Sequence, residues 1–193
     1  MTIRAILWDF GDTLCDETWM LAPMPGAASW PAIFPDVLAR DRLGERWNVG
    51  TASTADVATA AAGQLACDTD PVLAHMRSCC RDIRFYPTVL ALAAACRLPQ
   101  AIVTVNTDIF TEEVIPAYGL DRRFAAIVTS WQERSADKGH LCEIARRRLG
   151  RNLAPNECLL IDNLAPNIAA WEARGGVGMH FTGEAALLAS WRW

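Results

Sequence analysis

The chain has 193 residues, of which 52% are hydrophobic and 21% charged, and its formal net charge is −4. This length suits one domain, or a domain with a smaller insert, and it allows a sizeable core. The charge argues against a nucleic-acid partner, and without a signal peptide or a membrane-length apolar run we expect no membrane contact and a cytoplasmic location.

The first predicted element is a strand over Ile3–Trp8, which stops at Asp9 and the turn Phe10–Leu14. Open α/β sheets bind their ligands at the carboxyl ends of the strands. Asp9 would therefore be held where a carboxylate can attack phosphorus or carbon, or bind a metal ion. An aspartate that merely forms the turn is the alternative interpretation.

Residues 15–85 contain no convincing strand pattern. The segment begins with a proline- and glycine-containing coil and continues with predicted helices over 36–47, 54–65 and 71–83. A helical block inserted between the first and second strands would lie over the strand ends, where a lid over a site belongs. A helical bundle packed at the edge of the sheet is the alternative.

From Tyr86 onward, helical and strand patterns alternate. The predicted strands cover 101–105, 124–129, 157–161 and 177–181, and the predicted helices cover 87–97, 110–118, 138–149, 165–174 and 184–191. Such alternation indicates βαβ units. We predict a doubly wound, mostly parallel α/β core made of residues 1–14 and 86–193, with residues 15–85 as a small inserted helical cap.

Four chemically active side chains are predicted at the strand ends. Asp9 follows the first strand, Thr104 lies near the end of the second, Lys138 opens the helix after the third, and Asp162 ends the fourth. In a parallel sheet these ends face the same way. Two carboxylates can hold Mg²⁺, while a hydroxyl and an ammonium can bind phosphoryl oxygens.

At these positions the chain resembles the haloacid dehalogenase-like (HAD) hydrolase superfamily, in its subgroup with a helical cap after the first motif. The motifs occur in the family's order: Trp8–Leu14, Ile102–Thr104, Lys138, and Leu160–Asn163 followed by Asn167. Each motif is short, and their order and spacing carry the resemblance. It covers residues 1–14 and 86–193, and Asn167 is expected to anchor the loop after Asp162.

The resemblance implies a Mg²⁺-dependent hydrolase that cleaves a small phosphomonoester through an aspartyl-phosphate. Asp9 would be the nucleophile, and Thr104 and Lys138 would bind the transferring group. The metal ligands would be Asp9, the main-chain carbonyl of Gly11, Asp162 and the amide oxygen of Asn163.

Three positions depart from the family pattern. Gly11 stands where family phosphatases usually carry a second aspartate as general acid and base, and the nearest acid is Asp12. Asp12 either takes over proton transfer or only caps the turn, and the turn role is favoured. Asn163 stands where the family nearly always has an acid. In the second motif, Asn106–Thr107 is the alternative to Thr104 for the phosphate contact.

These departures leave two alternatives open. One is a dehalogenase or phosphonatase-type hydrolase, although those branches usually carry an aromatic residue or alanine where this chain has Gly11. The other is a catalytically weakened relative that binds a phosphorylated ligand or a protein partner.

The candidate substrate-binding residues are Asn106 and Thr107 after the second strand, and Trp19 and Met20, which follow the catalytic turn and enter the insert. Trp191 and Trp193 form an apolar C-terminus, which either packs onto the core or contacts a second copy in a homodimer.

Overall fold

A computed structural model describes residues 2–150 and 152–193 of the chain. Five strands form one sheet in the order β3-β2-β1-β4-β5, and every neighbouring pair is parallel. The strands are β1 (Ala5–Trp8), β2 (Gln100–Thr104), β3 (Ala126–Thr129), β4 (Cys158–Asp162) and β5 (Val177–His180). The predicted parallel α/β core is confirmed.

The helices lie between the strands and in the long segment after β1. They are α1 (Trp30–Ala39), α2 (Leu43–Asn48), α3 (Thr54–Leu65), α4 (Thr69–Cys79), α5 (Pro87–Ala95), α6 (Ile115–Tyr118), α7 (Leu120–Arg123), α8 (Ser130–Glu133), α9 (Lys138–Leu149), α10 (Ala165–Glu172) and α11 (Glu184–Ser190). Short 3₁₀ turns cover Glu17–Leu21, Arg40–Arg42 and Pro155–Glu157, and a π-helical turn covers Phe110–Val114.

Both faces of the sheet are buried, as a doubly wound fold requires. Alternate residues of β1 belong to different hydrophobic clusters, Ala5 and Leu7 to one and Ile6 and Trp8 to the other. The first cluster packs under α9 and α10 through Leu141 and Trp171, among others. The second is continuous with the helices of residues 15–85.

The inserted segment departs from the prediction at its first helix. One helix over 36–47 is wrong: α1 begins at Trp30, and a break at Asp41 and Arg42 separates it from α2. Pro31 lies in the first turn of α1, where its missing N–H costs no hydrogen bond. Asp41 and Arg42 have positive φ angles of 50° and 54°, which interrupt the helix.

Polar contacts hold this segment against residues that follow β2 and β3. The buried Asp108 carboxylate accepts hydrogen bonds from Trp47 Nε1 (2.6 Å), from the main-chain N–H of Thr54 (2.8 Å) and from the Thr54 hydroxyl. The hydroxyl of Ser130 donates to the carbonyl oxygen of Asn48 (2.6 Å). Residues 47–54 therefore lie at the carboxyl ends of β2 and β3, while the division of the chain into core and cap stays a prediction.

The apolar C-terminus packs onto the core. The ring of Trp191 stacks on Trp8 with 5.6 Å between ring centroids, and Trp193 meets Trp191 edge-on at 5.5 Å. The seven cysteines are free thiols. None of the helices in the described residues is both long and apolar enough to span a membrane.

The contacts of Asp108 predict a large loss of stability on substitution. Asp108→Ala leaves the buried donors of Trp47 and Thr54 without an acceptor, so we expect the free energy of unfolding to fall by about 2–4 kcal/mol. Urea denaturation measures the change, with the exposed Asp36→Ala as control. Equal losses in the two variants would contradict this role of Asp108.

Candidate active site

The candidate active site is built on the adjoining ends of β1 and β4. The ladder between these strands continues one residue beyond β1, because the N–H of Asp9 donates to the carbonyl oxygen of Ile161 (2.9 Å). Asp9 thus lies beside Asp162, the last residue of β4. Asp9 is 7% exposed and Asp162 is 0% exposed, so burial leaves two carboxylates side by side and largely without water.

Lys138 joins these two carboxylates. Its Nζ lies 2.6 Å from Oδ1 of Asp9 and 2.9 Å from Oδ2 of Asp162, and the residue is 3% exposed. Lys138 is the first residue of α9, and the side chain of Asp137 caps this helix by accepting from the N–H of His140 (3.0 Å). The cap sets where α9 begins and thereby where the ammonium enters the site.

The charges of the site depend on each other. Burial raises the pKa of Asp9 to about 6, with Lys138 acting in the opposite direction and Asp162 in the same one. Burial disfavours the ammonium of Lys138, but the two carboxylates outweigh this effect and raise its pKa above the usual lysine range. At neutral pH the nucleophile candidate is therefore ionised beside a permanent cation.

The loop after β4 orients Asp162. Its Oδ1 accepts from the N–H of Leu164 (2.8 Å), and the side-chain amide of Asn167 donates to both carboxylate oxygens at 3.0 and 3.1 Å. Asn167 therefore has the anchoring contact expected from the sequence. His180 Nε2 lies 2.8 Å from the main-chain oxygen of Asn163, the residue after Asp162.

The oxygen atoms around Asp9 and Asp162 fit a magnesium ion in chemical type. Mg²⁺ takes carboxylate and carbonyl oxygens and keeps several waters. The adjacent carboxylates of Asp9 and Asp162 belong to this set, while the Gly11 carbonyl stays a predicted ligand. In residues 2–150 and 152–193, no three Asp, Glu, His or Cys side chains form a metal-binding group. A bound cation would thus depend on two carboxylates, main-chain oxygen and water.

The four predicted substrate-binding residues come together in one cavity. Trp19, Met20, Asn106 and Thr107 all line a space of about 310 Å³. Thr104 ends β2, where it is buried and pairs with Thr129 of β3. The structure thus separates the two candidate hydroxyls, with Thr104 at a strand end and Thr107 in the cavity wall.

Asp12 has a turn-forming contact. Its φ angle is +50°, and its Oδ1 accepts a hydrogen bond from the N–H of Glu17 (3.0 Å). Asp12 lines a different depression from that of the four substrate-binding candidates. This geometry agrees with the turn role favoured from the sequence.

Glu17 is a charged residue of this region that the sequence analysis missed. It lines the cavity, and burial of its carboxyl group, together with the nearby Asp9 and Asp12, raises its pKa to about 7, although the residue as a whole is exposed. It follows no strand and belongs to no motif, so the sequence carries no local signal for it. Asp108 and Ser130, which hold the segment behind the cavity, were missed for the same reason.

Several solved structures share this fold. A HAD family enzyme from Bacteroides thetaiotaomicron, BT-2542, matches with a TM-score of 0.75 at 15% identity, covering 100% of both chains. Its complex with magnesium and inorganic phosphate matches with a TM-score of 0.72 at 14% identity over 99% of this chain and 97% of that one. L-2-haloacid dehalogenase from Xanthobacter autotrophicus matches with a TM-score of 0.68 at 19% identity over 98% and 84%. No protein-family model and no curated protein matches the sequence.

Because Lys138 is the only lysine of the sequence, its titration can be followed directly. In protein labelled with ¹³C at lysine Cε, we expect one NMR signal that stays in the ammonium form at pH of about 10.4, where an ordinary lysine is half deprotonated. Asp9→Asn removes one of the two carboxylates that raise this pKa, so the signal should titrate at lower pH. A wild-type signal that titrates below the ordinary value would contradict the buried bridge.

Proposed function

We propose that this chain, whose fold is that of HAD hydrolases, is a Mg²⁺-dependent hydrolase that cleaves small phosphomonoesters through an aspartyl-phosphate on Asp9. The observation that carries the proposal is the contact of the Lys138 ammonium with both Asp9 and Asp162 at the strand ends. A carboxylate that is ionised, buried and held by a cation has the properties of a nucleophile. The cavity that Glu17 and Thr107 help to line is large enough for a small organic phosphate.

Asp9, Lys138 and Thr104 have separate roles in the reaction. One oxygen of Asp9 attacks phosphorus while the bond to the leaving oxygen breaks, and a water molecule then cleaves the aspartyl-phosphate. The ammonium of Lys138 and the hydroxyl of Thr104 bind the phosphoryl oxygens, and Lys138 also compensates the charge of Asp9. When bound by Asp9, Asp162, the Gly11 carbonyl and Asn163, Mg²⁺ would neutralise negative charge on the phosphoryl group.

A dehalogenase is the second candidate, because L-2-haloacid dehalogenase is among the proteins of similar fold. A phosphate-release assay over sugar phosphates and nucleotides, with and without Mg²⁺, distinguishes the two when halide release from a 2-haloacid is measured in parallel. Halide release without phosphate release would overturn the phosphatase proposal. A protein without either activity would support the weakened, ligand-binding relative.

Asp9→Asn should abolish phosphate release. The amide keeps the size of the carboxylate but cannot attack phosphorus, so we expect turnover to fall by about 10⁴-fold or more. The measurement is phosphate release by the purified variant, with circular dichroism to confirm that it is folded. Asp36→Asn, which changes an exposed aspartate, is the matched control. Wild-type turnover in Asp9→Asn would rule out the covalent mechanism.

Asn163→Asp should strengthen Mg²⁺ binding. The substitution adds a negative charge next to Asp162, and hard cations prefer carboxylates to amides. We expect the Mg²⁺ concentration for half-maximal activity to fall by about threefold to tenfold, which corresponds to roughly 1 kcal/mol. An unchanged or higher Mg²⁺ requirement would remove Asn163 from the proposed ligand set.

A further inference from the structure

The carboxyl group of Glu17 lies where a side chain on Gly11 would project. A Cβ atom built on Gly11 would stand 2.6 Å from Cδ of Glu17 and 2.8 and 2.9 Å from its two carboxyl oxygens. These distances are too short for any real side-chain contact. The Glu17 carboxyl therefore occupies the space that a side chain at residue 11 would need. The turn that carries Asp9 thus has a carboxyl group beside residue 11, supplied by another residue.

The backbone conformation at residue 11 does not explain the glycine. Gly26, Gly50, Gly119, Gly175 and Gly183 have φ angles between 58° and 132°, a region that L-residues rarely adopt, and Gly11 is not among them. Its conformation is therefore open to L-residues, and the obstacle to a side chain there is the Glu17 carboxyl. Because residue 11 has no side chain, the Glu17 carboxyl can occupy the space beside it.

The main chain around Glu17 is held on both sides. The carboxylate of Asp12 accepts from the N–H of Glu17 (3.0 Å), and Asp16 caps the following 3₁₀ turn by accepting from the N–H of Thr18 (2.8 Å). Glu17 also lines the cavity that contains Trp19 and Thr107. Its carboxyl group is thus placed between the turn of Asp9 and the space for a substrate.

We propose that Glu17 is the general acid and base of the reaction, a catalytic residue supplied by the inserted segment. This assignment rests on the proposed function. As Asp9 forms its bond to phosphorus, the Glu17 carboxylic acid gives its proton to the leaving oxygen, and the alcohol departs. The Glu17 carboxylate then takes a proton from water as the water oxygen bonds to phosphorus, which releases phosphate and the free carboxylate of Asp9.

In the described part of the chain, the Glu17 carboxyl has no protein partner that would occupy it. It lies beside the turn at Gly11, at the place where a Cβ of residue 11 would stand. No hydrogen-bond donor in residues 2–150 or 152–193 reaches the Glu17 carboxyl oxygens. The group is therefore available to a substrate oxygen or a water molecule.

The test compares leaving groups in Glu17→Gln, which keeps the size of the side chain but cannot transfer a proton. On an alkyl phosphate that the wild-type protein hydrolyses, we expect kcat to fall by about 10²- to 10⁴-fold. p-Nitrophenyl phosphate needs no protonation of its leaving group, so the first step should survive. The second step then becomes slow, and we expect a burst of one p-nitrophenolate per active site with phosphate retained on the protein.

The control is Glu112→Gln, an exposed glutamate on the π-helical turn, which should match the wild-type protein on both substrates. Equal losses on alkyl and aryl phosphates without a burst would show a structural role for Glu17 and overturn the assignment. Undiminished turnover of Glu17→Gln in an active protein would overturn it as well. A wild-type protein that releases no phosphate would instead overturn the proposed function, and the Glu17 assignment would fall with it.

A double-mutant cycle tests whether a side chain at residue 11 displaces the Glu17 carboxyl. Gly11→Ala places a methyl group against the Glu17 carboxyl and should lower kcat on the alkyl phosphate by displacing it. In the Glu17→Gln background the proton transfer is already lost, so the same alanine should cost less than in the wild-type background. Additive losses would overturn the link between the two residues.

Discussion

The contact between Lys138 and the two carboxylates of Asp9 and Asp162 is the interaction on which the site depends. Two buried carboxylates side by side repel each other, and burial disfavours the charged form of a carboxyl group. The ammonium offsets this repulsion at the cost of its own desolvation. The contact also joins three parts of the chain, the end of β1, the start of α9 and the end of β4.

Strand pairing, a side-chain hydrogen bond and a helix cap hold the three residues of this contact in place. The ladder between β1 and β4 places Asp9 beside Asp162, the amide of Asn167 orients Asp162, and the Asp137 cap sets the start of α9. None of these supports touches the cavity. The contacts that hold the two carboxylates and the ammonium are therefore separate from the residues that line the cavity, such as Trp19 and Asn106.

The inserted segment supplies most of the residues that line the cavity. Trp19, Met20 and Glu17 line the cavity from the segment after β1. Asp108, which follows β2, and Ser130, which follows β3, hold residues 47–54. The insert also shares the hydrophobic cluster that covers one face of the sheet. Because packing and hydrogen bonds together attach it, the position of the cavity wall follows from the same contacts that stabilise the fold.

The low identity to proteins of similar fold has a physical explanation. Parallel sheets covered on both faces need apolar strands, helices with one apolar face and glycine or capping residues at the ends, and many sequences meet these needs. A match over the whole of both chains at 15% identity is the result. The chemistry depends on a few residues at the strand ends, and these have to be argued one by one.

The sequence by itself determined the strands, their parallel arrangement and the polar side chains at their ends, because these depend on local apolar patterns and on the rule that parallel strands end at one edge. It also indicated Asn167 as an anchor. Only the tertiary structure decided that α1 begins at Trp30, that Asp12 faces the N–H of Glu17, and that Glu17 fills the space beside Gly11. The reason is that these features depend on contacts between segments and on backbone angles such as the +50° of Asp12, for which short-range patterns carry no signal.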